Sequence, residues 1–213
     1  MSLYLNTVSD LLWNALKQLM RTEEFNSFRL VGGTSLSLQL GHRASIDIDL
    51  FTDADYGSID FSILETILIE TFPYVNSSSV DIVGMGKSYF IGNNKHELVK
   101  LDLFYTEPFV FPVVYKQNIR FASIEEVAAM KFELIANGGR KKDFWDIHEL
   151  LESYTLDEMI CFYLKRNPYG YSKDYLLGKI IDFSYAEDDF KPNCHKEKAW
   201  ELIKLDFEQL LKK

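Results

Sequence analysis

The segment Leu30-Val31-Gly32-Gly33-Thr34-Ser35, followed by Gly41-His42-Arg43-Ala44-Ser45-Ile46-Asp47-Ile48-Asp49-Leu50-Phe51, constrains this chain more than any other stretch. Phe28 to Val31 is short and apolar, as a strand requires, and two glycines then turn it towards a helix. Thr34 or Ser35 is placed to cap that helix, which runs to about Leu40 and stops at Gly41. From Ser45 to Phe51 the chain alternates. Ile46, Ile48 and Leu50 take one face of a strand, and Asp47 and Asp49 take the other. A sheet built from this unit buries one face and leaves the other for polar chemistry.

That open face has a readable purpose. A strand that turns through Gly32-Gly33 into a helix aims free N–H groups at whatever lies over the helix start, which favours phosphate. The hydroxyls of Thr34 and Ser35 add side-chain donors. Asp47 and Asp49, two apart on a strand, bring two carboxylates to one point, and hard oxygen ligands of this kind suit Mg²⁺ or Mn²⁺. A bare Asp-x-Asp also suits the solvated face of an edge strand. Asp102, flanked by Leu101 and Leu103 in a second strand-like run, supplies a third carboxylate if its strand lies beside the first.

The rest of the chain divides in two. Leu5, Val8, Leu11, Leu12, Leu16 and Leu19 recur at helical spacing, so residues 4–21 are read as an amphipathic helix. A helix is expected from Asp60 to Glu70, ended by Pro73. Strands are expected at Val80–Val83, Ser88–Ile91 and Leu98–Tyr105, with turns at Gly84, Gly86 and Asn93-Asn94. One or two short edge strands are expected between Val113 and Phe121. Beyond that point the pattern is helical. Ser123 caps Ile124 to Ala136, with Glu126 as its capping-box partner. Asn137-Gly138-Gly139 breaks that helix, a second runs from Arg140 to about Glu152, and others follow near 155–166, 172–182 and 195–212. The expected class is α+β: a mixed sheet flanked by helices over 1–122, then a helical region over 123–213.

Charge narrows the partners. The 213 residues carry 23 basic and 32 acidic side chains, a net charge of −9, which opposes broad non-specific binding of nucleic acid. Arg140-Lys141-Lys142 is a local exception, although a charge run of this kind is more often a solvated helix end. Cys161 and Cys194 lack metal-ligand spacing and are expected to be reduced. The N-terminal residues lack the basic and apolar regions of a signal peptide and no run is long enough to span a bilayer, so a cytoplasmic protein without membrane contact is expected.

Gly-Gly-Thr-Ser followed by Gly-His-Arg-x-Ser-x-Asp-Ile-Asp-Leu-Phe resembles the first motif of the AbiEii/AbiGii-type nucleotidyltransferase toxins, of the DNA polymerase β-like nucleotidyltransferase superfamily. Lys131, and then Arg140-Lys141-Lys142-Asp143-Phe144-Trp145-Asp146-Ile147, resemble that family's downstream lysine and its basic-Asp-x-aromatic-Asp helix. The motifs cover residues 30–51 and 124–151. The resemblance implies a nucleotidyltransferase-type sheet, with the helical region completing the cleft. It implies transfer of a nucleoside monophosphate from a triphosphate to an acceptor hydroxyl, with Mg²⁺ or Mn²⁺ on Asp47, Asp49 and Asp102. Gly32, Gly33, Thr34 and Ser35 would hold phosphate, and Lys131 would meet the triphosphate. Arg43 would pair with a carboxylate or a phosphate, and Lys142 would join the nucleotide site. Asp143 and Asp146 would complete the site or fix its basic residues. The implied partners are a nucleoside triphosphate, a tRNA acceptor and a separate antitoxin, as in a toxin–antitoxin or phage-defence pair. A small molecule such as an antibiotic, or a protein side chain, is an alternative acceptor, and a nucleotide-binding module without turnover is an alternative of another class. Phe144 and Trp145 are read as core. His42, His148 and His195 carry no assigned role, and His96 is read as an exposed hairpin residue.

Overall fold

The sheet is built around the predicted strand–turn–helix–strand unit. The computed structural model describes residues 2–77 and 84–212, so the expected strand at Val80–Val83 lies outside the described residues. Its strands are β1 (Phe28–Leu30), β2 (Asp47–Thr52), β3 (Tyr74–Ser77), β4 (Gly86–Asn94), β5 (Glu97–Tyr105), β6 (Val114–Lys116) and β7 (Ile119–Phe121). They form one mixed sheet in the order β3-β4-β5-β2-β1-β7-β6. β2 runs parallel to β5 and antiparallel to β1, which places the two acid-bearing strands side by side at its centre.

Alternation decides which face is buried. Ile48 and Leu50 of β2, Leu101 and Leu103 of β5 and Tyr89 and Ile91 of β4 share one core with α1 (Asp10–Arg21) and α3 (Phe61–Thr71). Leu12, Leu16 and Leu19 of α1 and Leu64 and Leu68 of α3 are buried there. Each such leucine contributes about 2 kcal/mol relative to exposure. The α1 helix starts later than its apolar spacing suggests. Ser9 accepts a hydrogen bond from Leu12 N and caps it, while Leu5–Thr7 is a separate short 3₁₀ turn.

The helical region packs around α4 (Ile124–Ala136), against α5 (Lys141–Leu150), α6 (Leu156–Arg166) and α7 (Lys173–Lys179), with α8 (Trp200–Leu210) against α5. Phe132, Phe144, Trp145, Tyr163 and Phe207 fill this second core, so Phe144 and Trp145 are core residues as expected. A small third cluster of Val31, Leu36, Ala122 and Val127 joins α4 to α2 (Gly32–Leu40) and the sheet.

Four local readings are corrected. The strand β2 begins at Asp47, and Ile46 is 75 % exposed. The preceding backbone is engaged elsewhere: Ser45 N donates to Thr7 O and Ala44 N to Asn193 O. Val31, not Thr34 or Ser35, is the N-cap of α2, and both hydroxyl residues lie inside the helix. Ser123 does cap α4, but the Glu126 carboxylate does not return to it. It accepts from Val110 N, Phe111 N and Arg166 Nε and pins the chain that follows β5. The hairpin between β4 and β5 turns at Lys95-His96, with Asn94 paired to Glu97 and Gly86 inside β4. His96 is exposed there.

Candidate active site

The parallel register of β2 and β5 sets Asp49 directly across from Asp102, with Asp47 two residues back along the same face. Asp102 accepts from Ser88 Oγ at 2.6 Å and pairs with Lys100. Burial, reinforced by the charges of Asp102 and Asp47, pushes the Asp49 carboxyl up to about 6. The three carboxylates share one face and offer hard oxygen atoms of the kind that suits Mg²⁺ or Mn²⁺. Among the described residues, no three acidic, imidazole or thiol groups are drawn to metal-ligand spacing beforehand.

The two glycines are required by these neighbours. Gly32 has φ +67°, and a Cβ there would lie 2.3 Å from Asp49 Oδ2. A Cβ on Gly33 would lie 2.4 Å from Arg43 Nη2. The turn that begins α2 is therefore pressed between an acid and a guanidinium, and its backbone N–H groups stand at the edge of the acidic face. The Thr34 hydroxyl is directed inward, donating to Asp47 O, and Ser35 Oγ accepts from Gln39 Nε2.

Facing the sheet across a cleft of about 380 Å³ are α4 and the start of α5. Gly32, Gly33, Asp49, Asp102, Lys131 and Lys142 line it, together with an apolar wall of Phe51, Val127, Met130 and Leu134. Asp47, Arg43, Asp143, Asp146, Thr34 and Ser35 do not line it.

Behind the cleft lies a buried charge cluster. Arg43 binds Asp146 with both ends of its fork, Nε to Oδ1 at 2.7 Å and Nη2 to Oδ2 at 2.8 Å. Lys131 Nζ lies 2.6 Å from Asp143 Oδ1 and 2.7 Å from Asp146 Oδ2. His42 Nε2 lies 2.7 Å from Asp146 Oδ1. Burial alone would raise the Asp146 carboxyl, but Arg43 and Lys131 hold it well below the usual carboxylate range. Asp143 is held down in the same way by Lys131, and its Oδ2 also accepts Arg140 N at the start of α5. Arg43 is thus paired with a carboxylate, while Asp143 and Asp146 fix the basic residues.

Lys142 differs from Lys131. It enters no ion pair with the described residues. Burial, followed by the charges of Arg140, Lys131 and Arg43, lowers its pKa. It is a cation on the cleft wall that feels Asp47 and Asp49 without a close ion pair to either.

A family model described as the nucleotidyl transferase AbiEii toxin of type IV toxin–antitoxin systems matches residues 14–212. The chain belongs to the AbiEii nucleotidyl transferase toxin family. Its class is accordingly that of a nucleotidyltransferase enzyme. The uncharacterized protein aq_aa25 of Aquifex aeolicus strain VF5 is 23 % identical over 202 residues, 93 % of each chain. MenT4, a nucleotidyltransferase toxin from Mycobacterium tuberculosis H37Rv, has a similar fold, with a TM-score of 0.60 at 15 % identity over 92 % of this chain and 80 % of that one. JHP933 from Helicobacter pylori has a TM-score of 0.52 at 20 % identity over 96 % and 92 %. These likenesses agree with the α+β mixed sheet of the AbiEii chain. No helix among its described residues is long and apolar enough to cross a membrane.

Reading the sequence alone left His42 without a role, yet it contacts the most buried carboxylate of the site. The available signal was its place beside Arg43 in the segment between the glycine turn and the acidic strand. His148 lies apart from the cleft, 2.9 Å from Asp206.

Proposed function

We propose that this AbiEii-family chain is a metal-dependent transferase that moves a nucleoside monophosphate onto an acceptor hydroxyl. The acceptor hydroxyl gives up its proton to water as its oxygen bonds to the α-phosphorus of a nucleoside triphosphate, the bond from that phosphorus to the bridging oxygen breaks, and pyrophosphate leaves. The observation that carries this reading is the Asp49–Asp102 register beside the Gly32-Gly33 turn. We read 1–122 as the catalytic core and 123–213 as the region that completes the cleft.

In this reading Asp47, Asp49 and Asp102 hold Mg²⁺ or Mn²⁺. A cation bound there would supply a Lewis acid for the reacting phosphate and would lower the pKa of the attacking hydroxyl. The amides of Gly32 and Gly33 orient phosphate oxygens at the helix start, and Thr34 and Ser35 support that turn from inside through Asp47 O and Gln39. Lys142, which has no close ion pair, contributes a positive charge to the triphosphate. Lys131 lines the cleft with its ammonium held by Asp143 and Asp146, and Asp146 holds Arg43 under the turn. The Phe51, Val127, Met130 and Leu134 wall offers the apolar surface a nucleobase needs.

The family description supports a toxin role with a separate antitoxin protein, and we place that role in the cytoplasm. tRNA is the first acceptor to test. The net charge of −9 favours a second reading, in which the acceptor is a small molecule or a protein. Incubating the protein with each α-³²P-labelled triphosphate, Mg²⁺ and cellular RNA, beside D49A, separates them. Label in tRNA supports the first reading. Label only in protein or small-molecule fractions supports the second, and no transfer in any fraction overturns the catalytic proposal.

A further inference from the structure

We propose that His42 is a positioning residue of the nucleotide site, acting as the Nε2–H tautomer that fixes Asp146. The inference rests on the nucleotide-site reading above, and it concerns a residue two positions removed from the cleft wall.

The hydrogen-bond count around Asp146 assigns the tautomer. Its Oδ1 receives Arg43 Nε and faces His42 Nε2, and its Oδ2 receives Arg43 Nη2 and Lys131 Nζ. An ionised carboxylate offers about four acceptor sites and no donor. The fourth partner must therefore donate, which puts the ring proton of His42 on Nε2. The other ring nitrogen agrees: Nδ1 is buried and has no partner among the described residues. A proton there would leave a buried donor unpaired, which costs more than leaving a lone pair unused.

The consequence reaches the cleft through Asp146. Lys131 lines the cleft, and Arg43 Nη2 sits where a Gly33 side chain would begin. Both take their direction from Asp146. Without the His42 donor, Oδ1 keeps Arg43 Nε alone, and the carboxylate is free to rotate away from the geometry that aims Lys131. His42 is itself anchored, because its carbonyl accepts His195 N at 2.8 Å. It is fully buried, so no ligand reaches it directly.

Two measurements test the proposal. The long-range ¹H–¹⁵N spectrum of the imidazoles in the intact protein at neutral pH should show His42 protonated at Nε2, and protonation at Nδ1 overturns the proposal. Calorimetric titration with each nucleoside triphosphate in Mg²⁺ should show H42L weakening binding by on the order of tenfold, the loss expected for one charge-assisted hydrogen bond. H42Q, which keeps an N–H donor at similar reach, should stay within about threefold of the unchanged protein. An H42L protein that binds as well as the parent, or an H42Q protein as weak as H42L, overturns the positioning role. If H42L does not fold, H42Q decides alone: near-parental affinity supports the role, and a tenfold loss overturns it. A parent protein that binds no triphosphate overturns the function proposed above, whereas the tautomer is judged by its own spectrum.

Discussion

Asp49 and Asp102 stand opposite each other on neighbouring parallel strands, and the Asp49 oxygen nearer α2 fills the space where a Gly32 side chain would be. One acid is thereby locked between a second acid and a backbone turn. Its position depends on a residue with no side chain.

That dependence makes G32A a sharp probe. The substitution puts a Cβ 2.3 Å from Asp49 Oδ2 and forces alanine into a left-handed conformation at φ +67°. The backbone alone costs about 1–2 kcal/mol. Displacing the acid by about an ångström is expected to lower transfer by about 100-fold. Thermal unfolding and single-turnover transfer measure the two effects separately.

D49N keeps the shape and removes the charge. Transfer should fall by at least about a thousandfold, the several kcal/mol a metal-held phosphate is worth. The protein should stay folded and be no less stable, because one of three crowded carboxylates is neutralised. A binding isotherm for Mn²⁺ should weaken in parallel with activity. Parental activity in D49N would exclude the carboxylate from the chemistry.

Lys131 and Lys142 should separate by their effects on folding. K142A removes a charge with no ion pair among the described residues, so stability should change by less than about 0.5 kcal/mol while the KM for triphosphate rises about tenfold. K131M leaves Asp143 and Asp146 short of a partner in the interior and should cost about 3–5 kcal/mol. Urea unfolding and steady-state kinetics on the two variants distinguish a ligand-facing cation from a structural one.

Acid should attack the buried cluster first. Asp146 and Asp143 have pKa values depressed in the folded state by Arg43 and Lys131, against the opposing effect of burial. Their contribution is therefore complete above the unfolded aspartate value of about 3.9 and is lost as pH falls through the lower folded values. Measured in D49N, which removes the opposing titration of the raised Asp49 carboxyl, urea midpoints should be flat from neutrality to about pH 5 and drop steeply below about pH 4. In D146N the protein should be about 3–5 kcal/mol less stable at pH 7, with a shallower acid limb.

Several of these features were legible beforehand because they follow from spacing. Period-two alternation through Asp47, Ile48, Asp49 and Leu50 fixed a two-faced strand, and Ser123 and Gly41 marked helix ends. The adjacency of Asp102 could not be read, because strand order is decided by packing between distant segments. The partners of Lys131, Arg43 and Glu126 were hidden for the same reason. A lysine on an amphipathic helix looks alike whether it meets solvent, a phosphate or two aspartates twelve and fifteen residues away. His42 was missed because one imidazole without a spaced companion carries no signal until its neighbour is known.

The antiparallel bridge between Arg43 and Cys194, with Ala44 N on Asn193 O and His195 N on His42 O, has a consequence in time as well as space. Lys196 and Lys198 clamp the same segment to Glu149. The stretch between the glycine turn and the acidic strand is set by residues that follow it at long range in the chain. During synthesis residues 42–44 must wait for residues 193–195 before these contacts can form. A product shortened before residue 193 would leave the segment around Arg43 without these partners.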